Sequence, residues 1–319
     1  MAKSILLVKT SSLGDVIHAL PAVSDVRTVA ADARVDWAVE EPFAAVPRLH
    51  AGVTAVIPVA IRRWRRALWR GRTYGEIAAC VRNLRERHYD AVVDAQGLFK
   101  SALIALAARG TRYGLDIRSS REPLAWFYDR TFAVSWELHA VERNRLLLAQ
   151  ALGYEVPAGC AYGISAAPRR FDWFAAGAYA VLLHATSGNY KLWDEPNWIA
   201  LGDAFISSGV RCVLPWGSER ERGRSERIAA KLRAVTVPPL LSLGDLAGLF
   251  AGAKAAVGVD TGLAHLAAAL GVPTVGVYCG TDPAATGIYG CARAVNIGGI
   301  GQSPAVNDVM EALARLSCG

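Results

Sequence analysis

Residues 255–278 read AAVGVDTGLAHLAAALGVPTVGVY. The apolar run Ala255–Val259 predicts a buried strand, and the polar turn after it leads into a helix that ends near Leu270. A second apolar run, Pro273–Tyr278, predicts the next strand. Two strands joined by a helix must run parallel, because a helical crossover returns the chain to the same edge of the sheet. This stretch therefore predicts a parallel β-sheet covered by helices.

The same alternation occurs in both halves of the chain. Further strands are predicted at Ile5–Val8, Arg34–Val39, Ala91–Asp94, Ala178–His184 and Val210–Pro215. Helices are predicted at residues 16–30, 98–109, 198–208 and 304–316. Strands alternating with helices are typical of doubly wound α/β folds. We expect two Rossmann-like domains of this class.

The length of 319 residues also favours two domains. Residues 153–168 have the composition of a linker, with Pro157, Gly159 and Pro168. We expect domains at residues 1–160 and 161–319 with a cleft at the carboxyl ends of both sheets, where such folds bind ligands. The helix predicted at residues 304–316 could pack on the second domain or back on the first.

The charge is distributed unevenly. The net charge is +7, and up to residue 160 there are 22 basic against 16 acidic residues, compared with 13 against 12 in the rest. Only six of the 35 basic residues are lysine. Hydrophobic residues make up 53% of the chain, which excludes a disordered protein. The excess of arginine in the first half therefore indicates an anionic partner there.

Composition also excludes several classes of protein. The six cysteines form no CxxC motif, and scattered thiols are typical of a reducing compartment (Cys80, Cys160, Cys212, Cys279, Cys291 and Cys318). The first apolar run has only four residues, too few for a signal peptide. The uncharged stretch from Thr261 to Thr281 is broken by glycine and proline and does not read as a membrane span. We expect a cytoplasmic protein without a structural metal.

The first candidate site follows the first strand, at Lys9-Thr10-Ser11-Ser12-Leu13-Gly14-Asp15. It matches neither the P-loop nor the dinucleotide-binding pattern. Asp15 stands where a helix begins, so position alone favours a helix-capping carboxylate. The alternative is a general base directed into the cleft.

The second candidate is the arginine run Ile61-Arg62-Arg63-Trp64-Arg65-Arg66, which continues to Arg70 and Arg72 without an acidic residue. Runs of like charge are usually solvated surface. Arginine also binds carboxylates and phosphates through two parallel hydrogen bonds. We expect an anionic substrate or surface rather than nucleic acid, because no aromatic stacking platform or basic repeat accompanies the run.

The third and fourth candidates follow strands of the second half. Residues 184–193, HATSGNYKLW, combine hydroxyls, a glycine and Lys191, which suits a phosphate but also an ordinary polar loop. Residues 259–265, VDTGLAH, form a strand, a turn and a helix start, where free amide groups favour an anion. His265 could face that anion or simply pack in the core. Together the two segments predict a diphosphate site.

Eight segments resemble the lipopolysaccharide heptosyltransferases, which are inverting glycosyltransferases of the GT-B fold. They are KTSSLGDVIHALPA (9–22), IPVAIRRWRRA (57–67), YDAVVDAQGLFKSA (89–102), REPLA (121–125), HAVER (139–143), HAT (184–186), LPWG (214–217) and VDTGLAHLAAAL (259–270). The segments span nearly the whole chain. KTSSLGD is the form of the first loop in heptosyltransferase I, whereas heptosyltransferase II carries a different one.

The resemblance implies a role for individual residues. Asp15 would be the catalytic base and Lys191 would assist departure of the leaving group. The donor ADP-heptose would be held by Thr186, Ser187, Lys191, Glu221, Asp260, Thr261, Gly262 and His265. The acceptor would meet Arg62, Arg63, Arg65, Lys100 and Arg121. Residues 187–190 depart from the family pattern, which usually has a second threonine and acidic residues there.

The resemblance further implies the partners. The acceptor would be Kdo2-lipid A, whose carboxylates and phosphates suit an arginine-rich domain beside the anionic inner membrane. No metal cofactor is expected, since no DxD motif is present and a lysine and a helix terminus can meet the diphosphate. We expect a monomer. The alternatives are heptosyltransferase II, another nucleotide-sugar transferase of this fold, or a non-catalytic bilobal sugar-binding protein.

Overall fold

The computed structural model describes residues 3–174 and 177–317. The chain divides into two compact units after Ile164, whereas the sequence placed the boundary after residue 160. Each unit has its own parallel sheet and its own apolar core. The α/β fold with two doubly wound sheets, predicted from the alternation of strands and helices, is confirmed.

Within the described residues of the first unit, six strands form one sheet, and every neighbouring pair is parallel. Its strand order is β3-β2-β1-β4-β5-β6. The strands are β1 (Ser4–Val8), β2 (Arg34–Glu40), β3 (Val53–Val59), β4 (His88–Asp94), β5 (Arg109–Leu115) and β6 (Arg130–Phe132).

The helices of this unit cover the sheet and carry the loops of interest. They are α1 (Leu13–Ile17), α2 (Leu20–Val29), α3 (Ala45–Arg48), α4 (Ile61–Trp64), α5 (Gly71–Arg85), α6 (Phe99–Ala107) and α7 (Ala140–Leu152). Buried apolar residues of β1, β4 and α6 form the core, among them Leu6, Val92 and Ile104.

The single helix predicted at residues 16–30 is wrong: the structure has two helices, α1 and α2, with a break at His18 and Ala19. Pro21 lies in the first turn of α2. A proline has no amide hydrogen to donate to the carbonyl four residues earlier, here Ile17, so a continuous helix would lose that bond and clash there. In a first turn the missing donor costs nothing, and α2 begins there instead.

The described part of the second unit also has six strands in one parallel sheet, ordered β12-β11-β10-β7-β8-β9. The strands are β7 (Tyr179–Leu183), β8 (Arg211–Val213), β9 (Val235–Thr236), β10 (Ala255–Val259), β11 (Thr274–Tyr278) and β12 (Ala294–Gly298). Strands β7, β10 and β11 are buried over their whole length. Strands covered by helices on both faces are expected to be continuously apolar, as these are.

The helices of the second unit are α8 (Glu195–Ser207), α9 (Glu219–Ala229), α10 (Leu243–Ala251), α11 (Gly262–Ala269), α12 (Pro283–Thr286) and α13 (Val306–Ser317). Helix α13 packs on β11, β12 and α8 of its own unit. Its buried residues Val309, Ala312 and Leu313 belong to the core of that unit.

The two sheets share one strand order. Counted within each unit, it is 3-2-1-4-5-6, and the direction of winding reverses between the first and fourth strands. That reversal lies between β1 and β4 in the first unit and between β7 and β10 in the second. Ligands of such sheets bind beyond the carboxyl ends of these two strands. The loops after β1, β4, β7 and β10 are therefore the places to look for a site.

Candidate active site

The loops after β1 and β4 are tied together in the first unit. The side-chain oxygen of Gln96 accepts hydrogen bonds from the amides of Thr10 and Ser11, each at 3.0 Å. The buried Lys9 donates from Nζ to the carbonyl of Ala95 at 2.7 Å and to Asn144 Oδ1 at 3.3 Å. Burial lowers the pKa of Lys9. These bonds fix the loop that presents Asp15.

Asp15 lies in the first turn of α1 and caps it. The amide and the hydroxyl of Ser12 both donate to Asp15 Oδ2, at 2.7 and 2.9 Å. The capping function considered from the sequence is thus present. Both of these bonds use the same carboxylate oxygen, and the side chain is only half-buried. Capping by Oδ2 is therefore compatible with proton abstraction by Oδ1.

Lys100, on the first turn of α6, stands beside this loop. Its Nζ donates to Ser11 Oγ at 2.6 Å. Burial lowers the pKa of Lys100, and the positive charges of Arg62 and Arg65 lower it further. The carboxylates of Glu40 and Asp15 act in the opposite direction and raise this pKa. The structure therefore brings Lys100, Asp15 and two of the predicted arginines into one electrostatic environment.

The three predicted arginines have different surroundings. Arg63 forms ion pairs with Glu41 at 3.0 Å and with Glu76 at 2.5 Å, the two acids that bracket the basic run. Among the described residues, neither Arg62 nor Arg65 has an ion pair, and both are exposed. Arg62 and Arg65 thus have guanidinium groups available for an anion, whereas Arg63 is largely neutralised.

Arg121 is exposed. Burial is the main cause that lowers the pKa of Lys9 and the pKa of Arg143, and the positive charge of Arg121 lowers both further.

Glu40, at the end of β2, was not predicted from the sequence. Its carboxylate accepts from the Arg62 amide at 3.2 Å, and burial raises its pKa. Its place at the carboxyl end of a strand is the signal that could have found it.

In the second unit, Asp260 connects the loops after β7 and β10. Lys191 Nζ lies 2.7 Å from Asp260 Oδ2. The hydroxyl of Thr186 donates to the Asp260 carbonyl at 2.7 Å, and that of Thr281 donates to Oδ2 at 2.8 Å. Three predicted donor-binding residues therefore come together. Thr281, which follows β11, was missed, because no motif marks it.

The predicted turn before α11 is present. Thr261 occupies the N-cap position with an extended backbone, and Gly262 is the first residue of the helix. His265 is buried within α11. Ser187 is exposed. The helix start and the Lys191–Asp260 pair lie at the carboxyl ends of neighbouring strands.

Glu221 lies on the first turn of α9, after β8. Its Oε2 accepts a hydrogen bond from the Gly217 amide at 2.7 Å, which closes the loop around Trp216. The indole of Trp216 donates to the Pro238 carbonyl at 2.8 Å. Glu221 is thus held at the same edge of the sheet as Lys191, one strand further out.

His184 directly follows β7, and its side chain is buried in the core. Its Nε2 lies 2.7 Å from Ser225 Oγ, and burial lowers the pKa of His184 to about 4.

In the described parts of the chain, no group of three or more His, Cys, Asp or Glu side chains could hold a metal ion. The five described cysteines are free thiols, and Cys318 lies outside the described residues. None of the described helices is long and apolar enough to span a membrane.

Comparison with known proteins identifies the family of this chain. Residues 77–312 match the family described as glycosyltransferase family 9 (heptosyltransferase). The chain belongs to this family. It is therefore a glycosyltransferase, as the eight segments predicted.

Individual members of glycosyltransferase family 9 are similar over nearly the full length. Lipopolysaccharide heptosyltransferase 1 of Pseudomonas aeruginosa is 48% identical over 90% of this chain and 81% of that protein. The E. coli heptosyltransferase WaaC with ADP is 42% identical, with a TM-score of 0.90 over 98% of this chain and 99% of that one. WaaC with ADP-2-deoxy-2-fluoro heptose superposes with a TM-score of 0.86.

Proposed function

We propose that this chain transfers L-glycero-D-manno-heptose from ADP-heptose to a Kdo residue of Kdo2-lipid A, with inversion, during synthesis of the lipopolysaccharide inner core. The observation that carries the proposal is the convergence of Thr186, Lys191 and Asp260 beside the start of α11. A hydroxyl, an ammonium group and a helix N-terminus are the groups that bind a diphosphate. The relatives named above include a heptosyltransferase with ADP and with a fluorinated ADP-heptose.

The second unit binds the donor and stabilises the leaving group. As the bond between the anomeric carbon and the diphosphate breaks, negative charge grows on the departing ADP. Lys191, Thr186 and the helix start at residues 261–265 stabilise that charge. Loss of one such preorganised donor typically costs ~2.7–4 kcal/mol of transition-state stabilisation. Glu221 binds the nucleoside, and Ser187, Asp260, Thr261, Gly262 and His265 complete the donor site.

The first unit binds the acceptor and supplies the base. The hydroxyl oxygen of the acceptor attacks the anomeric carbon while Asp15 accepts the proton of that hydroxyl. ADP leaves from the opposite face of the anomeric carbon. General-base assistance of this kind contributes ~10²–10⁴-fold in rate. The cap formed by Ser12 fixes one carboxylate oxygen and so orients the other.

Basic side chains of the first unit hold the anionic acceptor. Its carboxylates and phosphates are bound by Arg62, Arg63, Arg65, Lys100 and Arg121. Guanidinium groups suit these oxyanions because they donate two parallel hydrogen bonds. The excess of arginine in this half is accounted for by such an acceptor.

We further propose that the protein is a cytoplasmic monomer in peripheral contact with the inner membrane and needs no metal. The acceptor is a membrane lipid, so the enzyme must reach the bilayer surface. Lys191 and the helix start supply the positive charge that a divalent cation would otherwise bring to the diphosphate.

One experiment tests the proposed reaction. The protein is incubated with ADP-heptose and Kdo2-lipid A, and the lipid product is measured by mass spectrometry. A product heavier by one heptose is expected. Turnover only on an acceptor that already carries heptose would identify a heptosyltransferase II instead. Binding of ADP-heptose without turnover on either acceptor would point to a sugar-binding protein.

A further inference from the structure

An apolar groove of about 770 Å³ opens on the first unit between α4, α5 and α6. It is lined by Trp64 at the end of α4 and by Leu68 shortly after it, by Ile77 and Val81 of α5, and by Leu103 of α6. The groove includes none of the residues that make the cap at Asp15. Most of its lining is apolar, although the groove is open to water.

Large apolar side chains are exposed in and beside this groove. The exposed fractions are 48% for Leu68, 52% for Phe99 and 48% for Leu103. Trp69 is 77% exposed and lines a neighbouring hollow together with Arg66 and Arg70. Contiguous exposed apolar surface of this kind usually marks an interaction site.

The rim of this surface is basic. Arg65 and Lys100 line the groove, and Arg66 and Arg70 stand by Trp69. None of these four forms an ion pair with any residue that the structure describes. Glu122 also lines the groove, but its carboxylate accepts a hydrogen bond from the Phe99 amide and so caps α6. Glu40 and Glu41 line the Trp69 hollow too, but four arginines line it with them, so the surface combines apolar side chains with a net positive charge.

We infer that the groove and the adjoining Trp69 hollow are the surface by which the first unit docks on an anionic bilayer. Tryptophan, phenylalanine and leucine enter the boundary between headgroups and acyl chains, while arginine and lysine remain at the lipid phosphates. Each basic residue near such a surface contributes about 1 kcal/mol, which corresponds to roughly fivefold in binding. The inference rests on the proposed membrane contact and assigns it to named residues.

This assignment has a consequence for the acceptor. Arg65 and Lys100 belong both to the rim of the docking surface and to the proposed acceptor site. Lys100 is also bonded to the loop that carries Asp15. A glycolipid embedded in the bilayer is thereby presented to the side of the unit that holds the base.

Vesicle binding tests the inference without requiring turnover. The probes are vesicles of phosphatidylcholine alone and vesicles in which one third of the lipid is phosphatidylglycerol, with bound protein measured by sedimentation. The variants are Leu68→Glu, Leu103→Glu and the milder Arg66→Gln. The control is Val29→Glu, since Val29 is 37% exposed at the end of α2, away from the groove. Unchanged melting temperatures establish that the variants are folded.

The unsubstituted protein and Val29→Glu are expected to bind the anionic vesicles and not the neutral ones. Arg66→Gln should weaken that binding roughly fivefold, and each glutamate variant in the groove should weaken it further. If the unsubstituted protein does not bind, both the membrane contact and the docking surface are refuted. If all variants bind like the control, only this surface is refuted.

A third outcome would also overturn the inference. If light scattering shows a dimer that Leu68→Glu dissociates, while vesicle binding is unchanged, the groove is a self-association face. Transfer to a deacylated acceptor in solution separately tests the proposed heptosyl transfer, because it requires no bilayer.

Discussion

Lys191 and Asp260 form an ion pair in which Nζ lies 2.7 Å from Oδ2, with the two side chains 20% and 11% exposed. The proposed donor site therefore contains a carboxylate that competes with the diphosphate for its lysine. Thr281 and Thr186 hold Asp260 in place through its Oδ2 and its carbonyl. The pair keeps Lys191 positioned before the donor arrives.

This relationship predicts a non-additive effect on ADP binding. Lys191→Met should weaken ADP binding strongly, because it removes the cation and leaves Asp260 as an unpaired negative charge. Lys191→Met/Asp260→Asn should regain part of the lost affinity. Isothermal titration calorimetry measures both, with Lys254→Met as the control on an exposed lysine. A double variant that binds ADP no better than Lys191→Met would contradict this account.

The cap that Asp15 forms and its proposed role as base can be separated by two substitutions. Asp15→Ala should lose the cap, at a cost of about 0.5–2 kcal/mol in the free energy of unfolding, and should also lose ~10²–10⁴-fold in kcat. Asp15→Asn can still accept the Ser12 hydrogen bonds, so it should keep most of the stability but lose turnover equally. Denaturant titration and steady-state kinetics test this, with ADP binding expected to be unchanged. Substantial activity in Asp15→Asn would exclude the role of base.

The arginines of the run should contribute unequally to binding of the acceptor. Arg62→Ala and Arg65→Ala should each raise the KM for the acceptor and reduce its salt dependence, because their charges are not neutralised by acidic neighbours. Arg63→Ala should raise it less, since Glu41 and Glu76 already pair with Arg63. Acceptor kinetics at two salt concentrations test the order. A larger effect on the KM for ADP-heptose would refute the assignment to the acceptor.

A glycine next to the donor loop gives a steric prediction. A Cβ on Gly280 would lie 2.2 Å from the Tyr190 carbonyl oxygen, so Gly280→Ala must displace the turn Asn189–Lys191. We expect a higher KM for ADP-heptose and a lower kcat. The matched control is Gly75→Ala, where a Cβ meets nothing within 4 Å in α5. That control should leave kinetics unchanged and stabilise the helix by about 0.5–1 kcal/mol.

His184 predicts a pH dependence of stability. Burial lowers its pKa from 6.5 to about 4, so the folded chain favours the neutral imidazole. The unfolded chain binds the extra proton first, and the stabilisation from His184 is complete above pH 6.5 and lost as the pH falls toward 4. The loss should be about 3 kcal/mol. Denaturant titrations between pH 4 and 7.5 measure the free energy of unfolding at each pH. His184→Gln should reduce the dependence of this free energy on pH, whereas His88→Gln, at an exposed histidine, should not.

The sequence predicted the class of fold because the central strands are continuous apolar runs. Ala255–Val259 was predicted to the residue. The break between α1 and α2 was missed although Pro21 marks it, because the apolar pattern continues across the break. The short strand β9 is only two residues long, which leaves no periodicity to detect.

Most of the candidate site residues were predicted from their positions after strands, whereas the contacts between them were not. Asp260 and Lys191 were predicted separately, and only the structure shows that they form a pair. Glu40 ends β2 and Thr281 follows β11, but neither belongs to a motif that marks a site. The arginines of the run could not be distinguished in the sequence, because the acids that pair with Arg63 are distant along the chain. Glu41 lies 22 residues before Arg63, and Glu76 lies 13 residues after Arg63.

The strand order has a consequence for synthesis of the chain. In the second unit β7 ends at Leu183, and its neighbour β10 begins only at Ala255. At ribosomal rates of ~5–20 residues per second, the intervening segment takes roughly 4–14 s to emerge. During that interval the loop with Thr186 and Lys191 exists without Asp260, and one edge of β7 has no partner strand. The proposed donor site of the second unit therefore forms only once β10 has emerged, and until then that edge of β7 is open to misassembly.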